Sequence, residues 1–362
     1  MKAEQLTGTS AYTTFAKTGQ EVYKGNPFYR GTEGSVEKML LKEESAFNKH
    51  ANVKLFVLRD GNNLVARFAL IHDLFLHNYI QVAFFEAQKG LGNIWTVIKN
   101  EIKKQHPEAK RVVVGLNGHL NYGAGILLNR FDEVPLFGLP YNPNYYHTYF
   151  DELLCRKMVT FRFSMDAYTA WAKRYNIQRK LNGLNVRFMK KSKIKEESAI
   201  YTQLNNLAFP EHPYWAKRDI EEDLELFHPF RFLLNNENLL FAEVNNKPVG
   251  FFLWYPDFNQ LVSSQRDLNV WDVLKYRLNS PIDTFRFTEI GILPEYQRSP
   301  VALALINRSL PAIEEKGYRY CEGGFIFEEN KASMAFVKRI LKRCYGKEPQ
   351  PYRHYAVYET TL

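Results

Sequence analysis

Cysteine is scarce in this sequence of 362 residues, and long apolar runs are missing. Its three cysteines, Cys155, Cys321 and Cys344, are odd in number and widely spaced, so they indicate neither a disulfide framework nor a zinc site. No run of about 18 apolar residues occurs, which argues against a transmembrane helix. Residues 1–5 lack the apolar core of a signal peptide. We therefore expect a cytoplasmic protein without a membrane partner.

The histidines also lack a metal-binding pattern. His72 and His77 are five positions apart, whereas His212 and His354 are isolated. Zinc sites in sequences usually combine closely spaced histidine and cysteine ligands. We therefore expect no metal site.

The length and composition indicate two globular domains. A domain of roughly 150–200 residues is usual, and 362 residues exceed what one hydrophobic core normally supports. Hydrophobic residues make up 45% of the chain and aromatic residues 15%, which excludes a disordered polymer.

The formal net charge of +9 is compatible with a polyanionic partner, but the basic residues are scattered. The densest cluster, residues 190–195, is short, and no motif that reads nucleic acid accompanies it. A solvated basic surface is therefore favoured, and nucleic acid is an unfavoured partner. A coenzyme with several phosphates would also be attracted by a positive field.

The last quarter of the chain carries the clearest pattern of elements. A strand is predicted from Phe285 to Leu293, because the residues alternate there and Pro294 ends the ladder. An amphipathic helix is predicted from Val301 to Lys316. The remaining elements are a strand, a helix and a final strand, predicted at Tyr320–Phe327, from Asn330 to about Arg343, and at Tyr352–Tyr358.

This stretch resembles the GNAT acyltransferase superfamily, in which a strand with V-x-P-E-Y precedes a [QR]-x-x-G-x-[GA] loop and a helix. Residues 292–296, Ile-Leu-Pro-Glu-Tyr, match the strand end, and residues 297–302, Gln-Arg-Ser-Pro-Val-Ala, lie over the loop. Later segments are similar to the C-terminal end of a bacterial family of proteins with two GNAT units. The residues that carry this similarity are Phe325, Glu328, Asn330, Met334, Arg353 and Tyr355.

The first half has a related order of elements. Residues up to about Pro27 read as irregular, and a helix is predicted from Ser35 to Phe47. Two strands form a hairpin that turns at residues 60–63. The elements expected after it are a strand at Tyr79–Phe85, a helix to about Gln105, a strand at Arg111–Gly115, a helix to about Leu154 and a strand at Met158–Met165.

The repeated order, together with the resemblance, predicts an α/β (α+β) fold of two tandem GNAT-like acyl-CoA N-acyltransferase units, each a mixed central sheet flanked by helices. We expect an N-terminal unit at residues 1–165, a connecting helix at 166–182 and a C-terminal unit at 183–362. An insertion at residues 256–281 interrupts the repeat. Insertions of this length often border binding sites, so we expect it beside the substrate cleft with the loop at 118–125.

The resemblance implies a site for acetyl-CoA or another acyl-CoA. A helix N-terminus offers unpaired N–H groups to the pyrophosphate, but Pro300 stands where the superfamily has glycine and removes one donor. The loop at residues 88–93 of the first half keeps Gly90 and Gly92 with a shorter spacing, and is the alternative site. We favour the C-terminal site. Its expected coenzyme-binding residues are Ile292, Leu293, Gln297, Arg298, Ser299, Val301, Ala302 and Asn330.

Glu289 is the candidate catalytic base, because such acyltransferases often place a carboxylate on this strand. A solvent-facing strand carboxylate is the alternative. Val337 occupies the position where the superfamily carries the tyrosine that protonates the thiol, which puts that step in doubt. Asn330 and Glu328 are favoured as helix caps over catalytic groups, and Arg353 is a candidate partner for one of them.

We therefore expect an acyl-CoA-dependent N-acyltransferase that modifies the amine of a small molecule or peptide. A non-catalytic protein that binds acyl-CoA or another small molecule is one alternative. A peptidyl-type transferase that uses aminoacyl-tRNA, on the same tandem fold, is the other. The sequence leaves the oligomeric state open, including a homodimer.

Overall fold

Thirteen strands form one continuous mixed sheet in the computed structural model, which describes residues 1–41, 45–175, 182–279 and 282–362. The strands of the first half are β1 (Lys2–Leu6), β2 (Ala51–Asp60), β3 (Asn63–Asp73), β4 (Ile80–Ala87), β5 (Arg111–Val114), β6 (Ile126–Leu127) and β7 (Leu154–Ser164). Those of the second half are β8 (Leu184–Phe188), β9 (Leu239–Val244), β10 (Lys247–Pro256), β11 (Thr284–Ile292), β12 (Tyr320–Phe327) and β13 (His354–Thr361).

Helices cover both faces of each half of the sheet. They are α1 (Ala11–Val22), α2 (Gly34–Leu40), α3 (Ile94–Gln105), α4 (Met165–Tyr175), α5 (Ile194–Ala208), α6 (Ile220–Phe230), α7 (Val270–Asn279), α8 (Val301–Glu315) and α9 (Lys331–Tyr345). In the first half, Phe56 of β2 packs with α3, whereas its neighbour Leu55 packs with α1 and α2. This alternation is the period-two pattern of a strand buried on both faces.

In the second half, α5 and α6 cover one face of the sheet and α4 and α8 cover the other. Tyr201 of α5 packs against Phe251 of β10, while Leu305 of α8 packs against Phe252 on the opposite face. The two halves therefore repeat one layered arrangement around a shared sheet.

The last strand of the chain lies inside the first half of the sheet. The strand order is β1-β2-β3-β4-β5-β13-β7-β12-β11-β10-β9-β8. Strand β13 is antiparallel to β5 on one side and to β7 on the other, and β7 is in turn antiparallel to β12. The C-terminal strand thus joins the halves through main-chain hydrogen bonds. The residue boundaries of the two units stay a prediction.

The strands β11 and β12 and the helices α8 and α9 confirm the elements predicted for the last quarter of the chain. The expectation of an irregular segment up to Pro27 is wrong, because β1 and α1 lie there. Strand β1 is short and polar, and α1 contains Gly19, against which the Arg67 guanidinium packs so closely that a Cβ at residue 19 would lie 2.3 Å from it. Neither feature gives the usual pattern of a strand or helix.

Two predicted helices are also corrected. The helix predicted from Ser35 to Phe47 ends at Leu40, residues 42–44 lie outside the described structure, and a short 3₁₀ turn covers Ala46–Lys49. The helix predicted before Leu154 is only a 3₁₀ turn at Tyr146–Tyr149, whose tyrosines bind the end of β4. Of the expected connecting helix, α4 is observed to Tyr175, and residues 176–181 lie outside the described structure.

We expect Val357→Ala to lower the free energy of unfolding by about 2 kcal/mol, because Val357 is fully buried in β13 and the change removes two methyl groups and leaves a cavity. The measurement is urea unfolding monitored by tryptophan fluorescence. The matched control is Val270→Ala in α7, where the side chain is 81% exposed and no loss is expected. Equal effects of both changes would contradict the placement of β13.

Candidate functional site

Strands β11 and β12 separate part-way along their length. Their parallel pairing runs from Thr284 and Tyr320 to Phe287 and Gly323, and stops there although both strands continue. Next to this point the pairing of β11 with β10 slips by one residue, so that Thr288 is an extra residue in a β-bulge. The bulge and the separation leave an opening between the two strands.

Glu289 lies directly after the bulge and faces α5. Its carboxylate accepts hydrogen bonds from the Tyr201 hydroxyl at 2.6 Å and from the Asn205 amide at 2.9 Å. Burial raises the pKa of Glu289 to about 7, against the opposing effect of these two hydrogen bonds. A carboxylate with such a pKa exchanges protons near neutral pH, as a general base must. The alternative of a freely solvated strand carboxylate does not fit this environment.

The helix that follows the opening begins with unpaired main-chain donors. Ser299 accepts a hydrogen bond from the Val301 N–H through its hydroxyl at 3.3 Å. In the described part of the chain, the N–H groups of Ala302 and Leu303 have no main-chain partner. The first N–H group of α8 that bonds to a main-chain carbonyl is that of Ala304, which donates to the Pro300 carbonyl. These two donors make the start of α8 suited to an anion.

The loop side chains before α8 are directed to solvent. Gln297 and Arg298 are exposed, and Gln297 makes a long hydrogen bond of 3.4 Å to the carbonyl of Ile292. Leu293 donates its N–H to β10 at Val249 and packs in the core, as does the side chain of Ile292. Ile292 and Leu293 therefore have only main-chain groups to offer to a ligand, while Gln297 and Arg298 have exposed polar side chains.

Two residues near the start of α9 have structural contacts. Asn330 caps the helix by accepting a hydrogen bond from the Ser333 N–H at 3.0 Å. Val337, at the position of the superfamily's tyrosine, packs with Val159 and Phe161. The expected pairing of Arg353 with Glu328 or Asn330 is wrong.

The partners of Arg353 are two other carboxylates. Its guanidinium contacts Glu322 at 3.2 Å and Glu133 at 3.4 Å. Arg353 lies just before β13 and is hydrogen-bonded to Thr160 of β7. Because Val159 and Phe161 face α9, Thr160 and Arg353 lie on the opposite face of the sheet.

The first half has a similar separation between β4 and β5, but tyrosines occupy its edge. The parallel pairing stops at Val82 and Val114. Beyond it, the Tyr146 hydroxyl accepts a hydrogen bond from the Ala87 N–H at 2.8 Å. The hydroxyls of Tyr145 and Tyr149 donate to the carbonyls of Ala87 and Gln88 respectively. The main-chain groups of Ala87 and Gln88, at the end of β4, are therefore already hydrogen-bonded within the chain.

Glu86 of β4 is enclosed by the same tyrosines. It accepts hydrogen bonds from the hydroxyls of Tyr23 at 2.5 Å and Tyr146 at 2.6 Å. Burial raises its pKa to about 7, although the nearby Arg67 charge and the two hydrogen bonds oppose the rise. Glu86 has an environment related to that of Glu289, but beside an edge that is filled.

Comparisons with known proteins identify the architecture. A tandem GNAT protein from the clavulanic acid biosynthesis pathway superposes with a TM-score of 0.58, at 10% sequence identity, over 99% of this chain and 98% of its own. A GCN5-related N-acetyltransferase from Sphaerobacter thermophilus gives a TM-score of 0.50 at 12% identity, over 99% and 95% of the two chains. The chain has the tandem GNAT fold.

Sequence comparisons add one curated relative. Protein YghO from Escherichia coli K12 is 23% identical over 265 residues, which span 67% of this chain and 64% of that protein. The match thus spans less than two thirds of the relative's length. No family model matches the chain.

Within the tandem GNAT fold, sequence reasoning did not find the partners of Glu289. Tyr201 and Asn205 lie four positions apart on α5, which places both side chains on one helix face. That spacing was available in the sequence, but nothing indicated that this face meets β11. Thr288, whose buried hydroxyl has no partner in the described chain, was also missed, because a bulge has no signature in a single strand.

The insertion at residues 256–281 and the loop at 118–125 contact different regions of the fold. Asn259 in the insertion is bonded to Thr32 at 2.7 Å and to the Pro135 carbonyl at 2.9 Å, both in the first unit. In the loop, Asn121 donates to the Tyr201 hydroxyl at 3.2 Å. Only the loop is connected by these contacts to Glu289, and the joint border of a substrate cleft stays a prediction. Pro281 lies outside the described residues.

One further group of ligand-type side chains lies in the first unit. His72, His106 and Glu108 bring donor atoms within 4.8 Å of one another, a grouping that the sequence spacing did not indicate.

Among the described residues, no helix is long and apolar enough to cross a membrane.

A buried histidine joins the two units near the site. His50 of the first unit contacts Asp73 at 2.8 Å and Glu222 of α6 at 3.3 Å, and Glu222 also accepts a hydrogen bond from the Tyr122 hydroxyl at 2.8 Å. Burial lowers the pKa of His50, but its hydrogen bonds to the two carboxylates outweigh that effect and raise it to about 9. The histidine is therefore charged at neutral pH.

We expect the wild type to lose stability between about pH 6.5 and pH 9 relative to His50→Gln. A raised pKa in the folded state means that the stabilisation is fully present below the unfolded pKa of about 6.5 and is lost as pH rises through about 9. The difference amounts to at most about 3 kcal/mol. Urea unfolding of both proteins at several pH values measures it. If the free energy of unfolding changed with pH in the same way for both proteins, His50 would not be charged at neutral pH in the folded state.

Proposed function

We propose that this protein is an acyl-CoA-dependent N-acyltransferase whose site lies in the C-terminal unit, at the opening between β11 and β12. The observation that carries this proposal is the Glu289 carboxylate, placed beside a β-bulge with a pKa of about 7. The tandem GNAT fold supports it at the level of architecture.

The reaction joins an amine to the acyl group of a thioester. When bound, the coenzyme supplies an activated acyl group and a thiolate leaving group. A carbon–nitrogen bond forms, the carbon–sulfur bond breaks, and the amine loses one proton while the thiolate gains one. We assign to Glu289 the acceptance of the amine proton, directly or through one water molecule.

The residues around Glu289 fix its orientation. Tyr201 donates to one carboxylate oxygen and Asn205 to the other, so the side chain cannot turn away from the opening without losing two hydrogen bonds. Burial raises the pKa of Tyr201 well above its usual value, so this hydroxyl is a poor acid. With Val337 in place of a tyrosine, the thiolate is best protonated by water.

The coenzyme site is proposed at the start of α8 rather than of α3. The free N–H groups of Ala302 and Leu303 suit a pyrophosphate, and Arg298 adds a charged donor. In the first unit, Tyr145, Tyr146 and Tyr149 already bind the edge that follows β4. A coenzyme there would have to displace three hydroxyl groups, so the residues present fit the group better in the C-terminal unit.

A non-catalytic binding protein is the second candidate. It is favoured by Pro300, which lacks the N–H that glycine would offer to a phosphate, and by the two internal hydrogen bonds that Glu289 already accepts. A protein of this kind would bind acyl-CoA without transferring the acyl group.

We expect Glu289→Gln to lower the rate of acetyl transfer about 10²–10⁴-fold, since the amide cannot accept the amine proton. The affinity for acetyl-CoA should stay the same, because Glu289 is assigned no contact with the coenzyme. In the wild type the rate should rise with pH through about 7, where the carboxylate becomes deprotonated, and should level off above it. Release of free thiol, followed with a chromogenic disulfide, measures the rate.

The control for that change is Glu295→Gln, an exposed carboxylate just beyond β11. It should alter neither the rate nor its pH dependence. If Glu289→Gln transfers acetyl groups as fast as the wild type, Glu289 is not the base. If the wild type binds acetyl-CoA but transfers nothing to any amine tested, the binding-protein alternative holds.

Replacing Gln297 and Arg298 together by alanine should raise the Kd for acetyl-CoA about 10- to 100-fold, through loss of one or two hydrogen bonds to charged phosphate oxygens. The matched control replaces Gln88 and Lys89, two exposed residues in the corresponding loop of the first unit, and should leave the Kd unchanged. Isothermal titration with acetyl-CoA compares the two double variants. The reverse result would move the coenzyme to the N-terminal unit.

A further inference from the structure

Four buried polar residues lie side by side on the face of the sheet that carries Glu289. Arg286 on β11 is paired in register with Glu322 on β12. Tyr355 lies on β13 and Arg353 directly precedes that strand, two positions away and hence on the same face. We call Arg286, Glu322, Arg353 and Tyr355 the central polar cluster. Each has an exposed fraction of 7% or less.

Each member of the central polar cluster keeps one polar atom without a hydrogen-bond partner in the described chain. Three of these atoms are donors, namely Arg286 Nε, Arg353 Nη1 and the Tyr355 hydroxyl. The fourth, Glu322 Oε2, is an acceptor. A buried polar atom without a partner costs roughly 1–3 kcal/mol, so four at one place indicate that the cluster receives something polar.

Arg286 also lacks an ionic partner. Its guanidinium donates to two neutral acceptors, the Phe137 carbonyl at 3.2 Å and the Tyr255 hydroxyl at 3.0 Å. No carboxylate of the described chain lies within 4.0 Å of it, whereas Arg353 contacts both Glu322 and Glu133. Two carboxylates lie near Arg286 without such a contact: Glu322 is its register partner on β12, and burial raises the pKa of Glu33 to about 7 against the opposing charge of Arg286. A buried guanidinium without a close ion pair favours an anionic group of a ligand.

The chain encloses the central polar cluster from above. The Val134 carbonyl accepts a hydrogen bond from Arg353 at 2.9 Å, and Phe137 contacts Arg286 as described. At Gly138, with φ of +75°, a Cβ would lie 2.5 Å from the Arg286 guanidinium. Glu133, about one-third exposed, lies on the solvent side of Arg353. The segment at residues 133–138 thus covers a specific polar site.

The central polar cluster lies within reach of Glu289. The register partners of Arg286 and Glu289 on β10 are Tyr255 and Leu253, which are two residues apart and therefore about 7 Å apart along the strand. A small molecule can span this distance with an anionic group at Arg286 and an amine toward Glu289.

We propose that the central polar cluster binds the acceptor substrate, and that this substrate is a small amine that also carries a carboxylate, that is, an amino acid or a close analogue. This inference rests on the proposed transfer function for its direction, but the binding itself does not require coenzyme. The ligand's carboxylate accepts hydrogen bonds from Arg286, Arg353 and Tyr355. Glu322 accepts a hydrogen bond from a donor group of the ligand.

The test compares matched ligands on the full chain without coenzyme. The probes are the common amino acids, each tested with the amine that lacks the carboxylate and the acid that lacks the amine, such as phenylalanine, phenethylamine and 3-phenylpropionate. Thermal shift screens the set and isothermal titration gives the Kd. We expect at least one amino acid to bind about tenfold or more tightly than both of its matched analogues.

Tyr355→Phe separates binding from folding. Because the Tyr355 hydroxyl has no partner among the described residues, its removal should keep or raise the melting temperature, while the affinity for the amino acid falls about tenfold. The matched control is Tyr358→Phe, a buried tyrosine on the opposite face of β13, which should leave the affinity unchanged. Acetyl-CoA affinity, measured on the same proteins, should not change in either variant.

Three results would overturn the inference. They are an amine or acid analogue that binds as well as the amino acid, an affinity that Tyr355→Phe leaves unchanged, and the absence of binding by every amino acid in the set. Failure of the wild type to bind acetyl-CoA would instead remove the proposed function, and the amino-acid site would stand by itself.

Discussion

The antiparallel pairing of β13 with β5 and β7 is the constraint on which the rest of this structure depends. It places the end of the chain between two strands of the first unit and leaves β7 to pair with β12 of the second. Neither unit can complete its sheet without the other. The buried residues Tyr355, Ala356 and Val357 show that this pairing is also part of the hydrophobic core. Loss of β13 would therefore expose core residues of both units to solvent.

The two openings of the sheet differ in what lies against them. In each unit two parallel strands separate beyond a short paired stretch. In the first unit the segment before β7 runs back along β4 and fills the edge with Tyr145, Tyr146 and Tyr149. In the second unit no corresponding contact occurs among the described residues, and Glu289 faces the opening. One fold thus supplies one closed and one open position.

The sequence predicted local elements well and long-range pairing poorly. Pro294 ends a strand and Asn330 caps a helix through interactions within a few residues, so β11, α8 and α9 were predictable from pattern. Glu289 was found through resemblance to a superfamily. The tyrosines at 145–149 and the partners Tyr201 and Asn205 depend on contacts between residues that are 58 to 88 positions apart. No local pattern encodes such contacts. Strand β1 was missed because it is short and polar, and α1 because Gly19 interrupts its helical pattern.

The central polar cluster was hidden for the same reason. Arg353 and Tyr355 were visible as part of a resemblance, and Arg286 and Glu322 as ordinary strand residues, but their meeting depends on the position of β13 next to β7.

The first unit contributes to the site of the second even though its own opening is filled. Asn121 binds Tyr201, which in turn orients Glu289, and the segment at residues 133–138 covers Arg286 and Arg353. Burial is what raises the pKa of Glu289 to about 7. The first unit, whose own opening is filled, therefore adds contacts around Glu289, Arg286 and Arg353 of the other half of the chain.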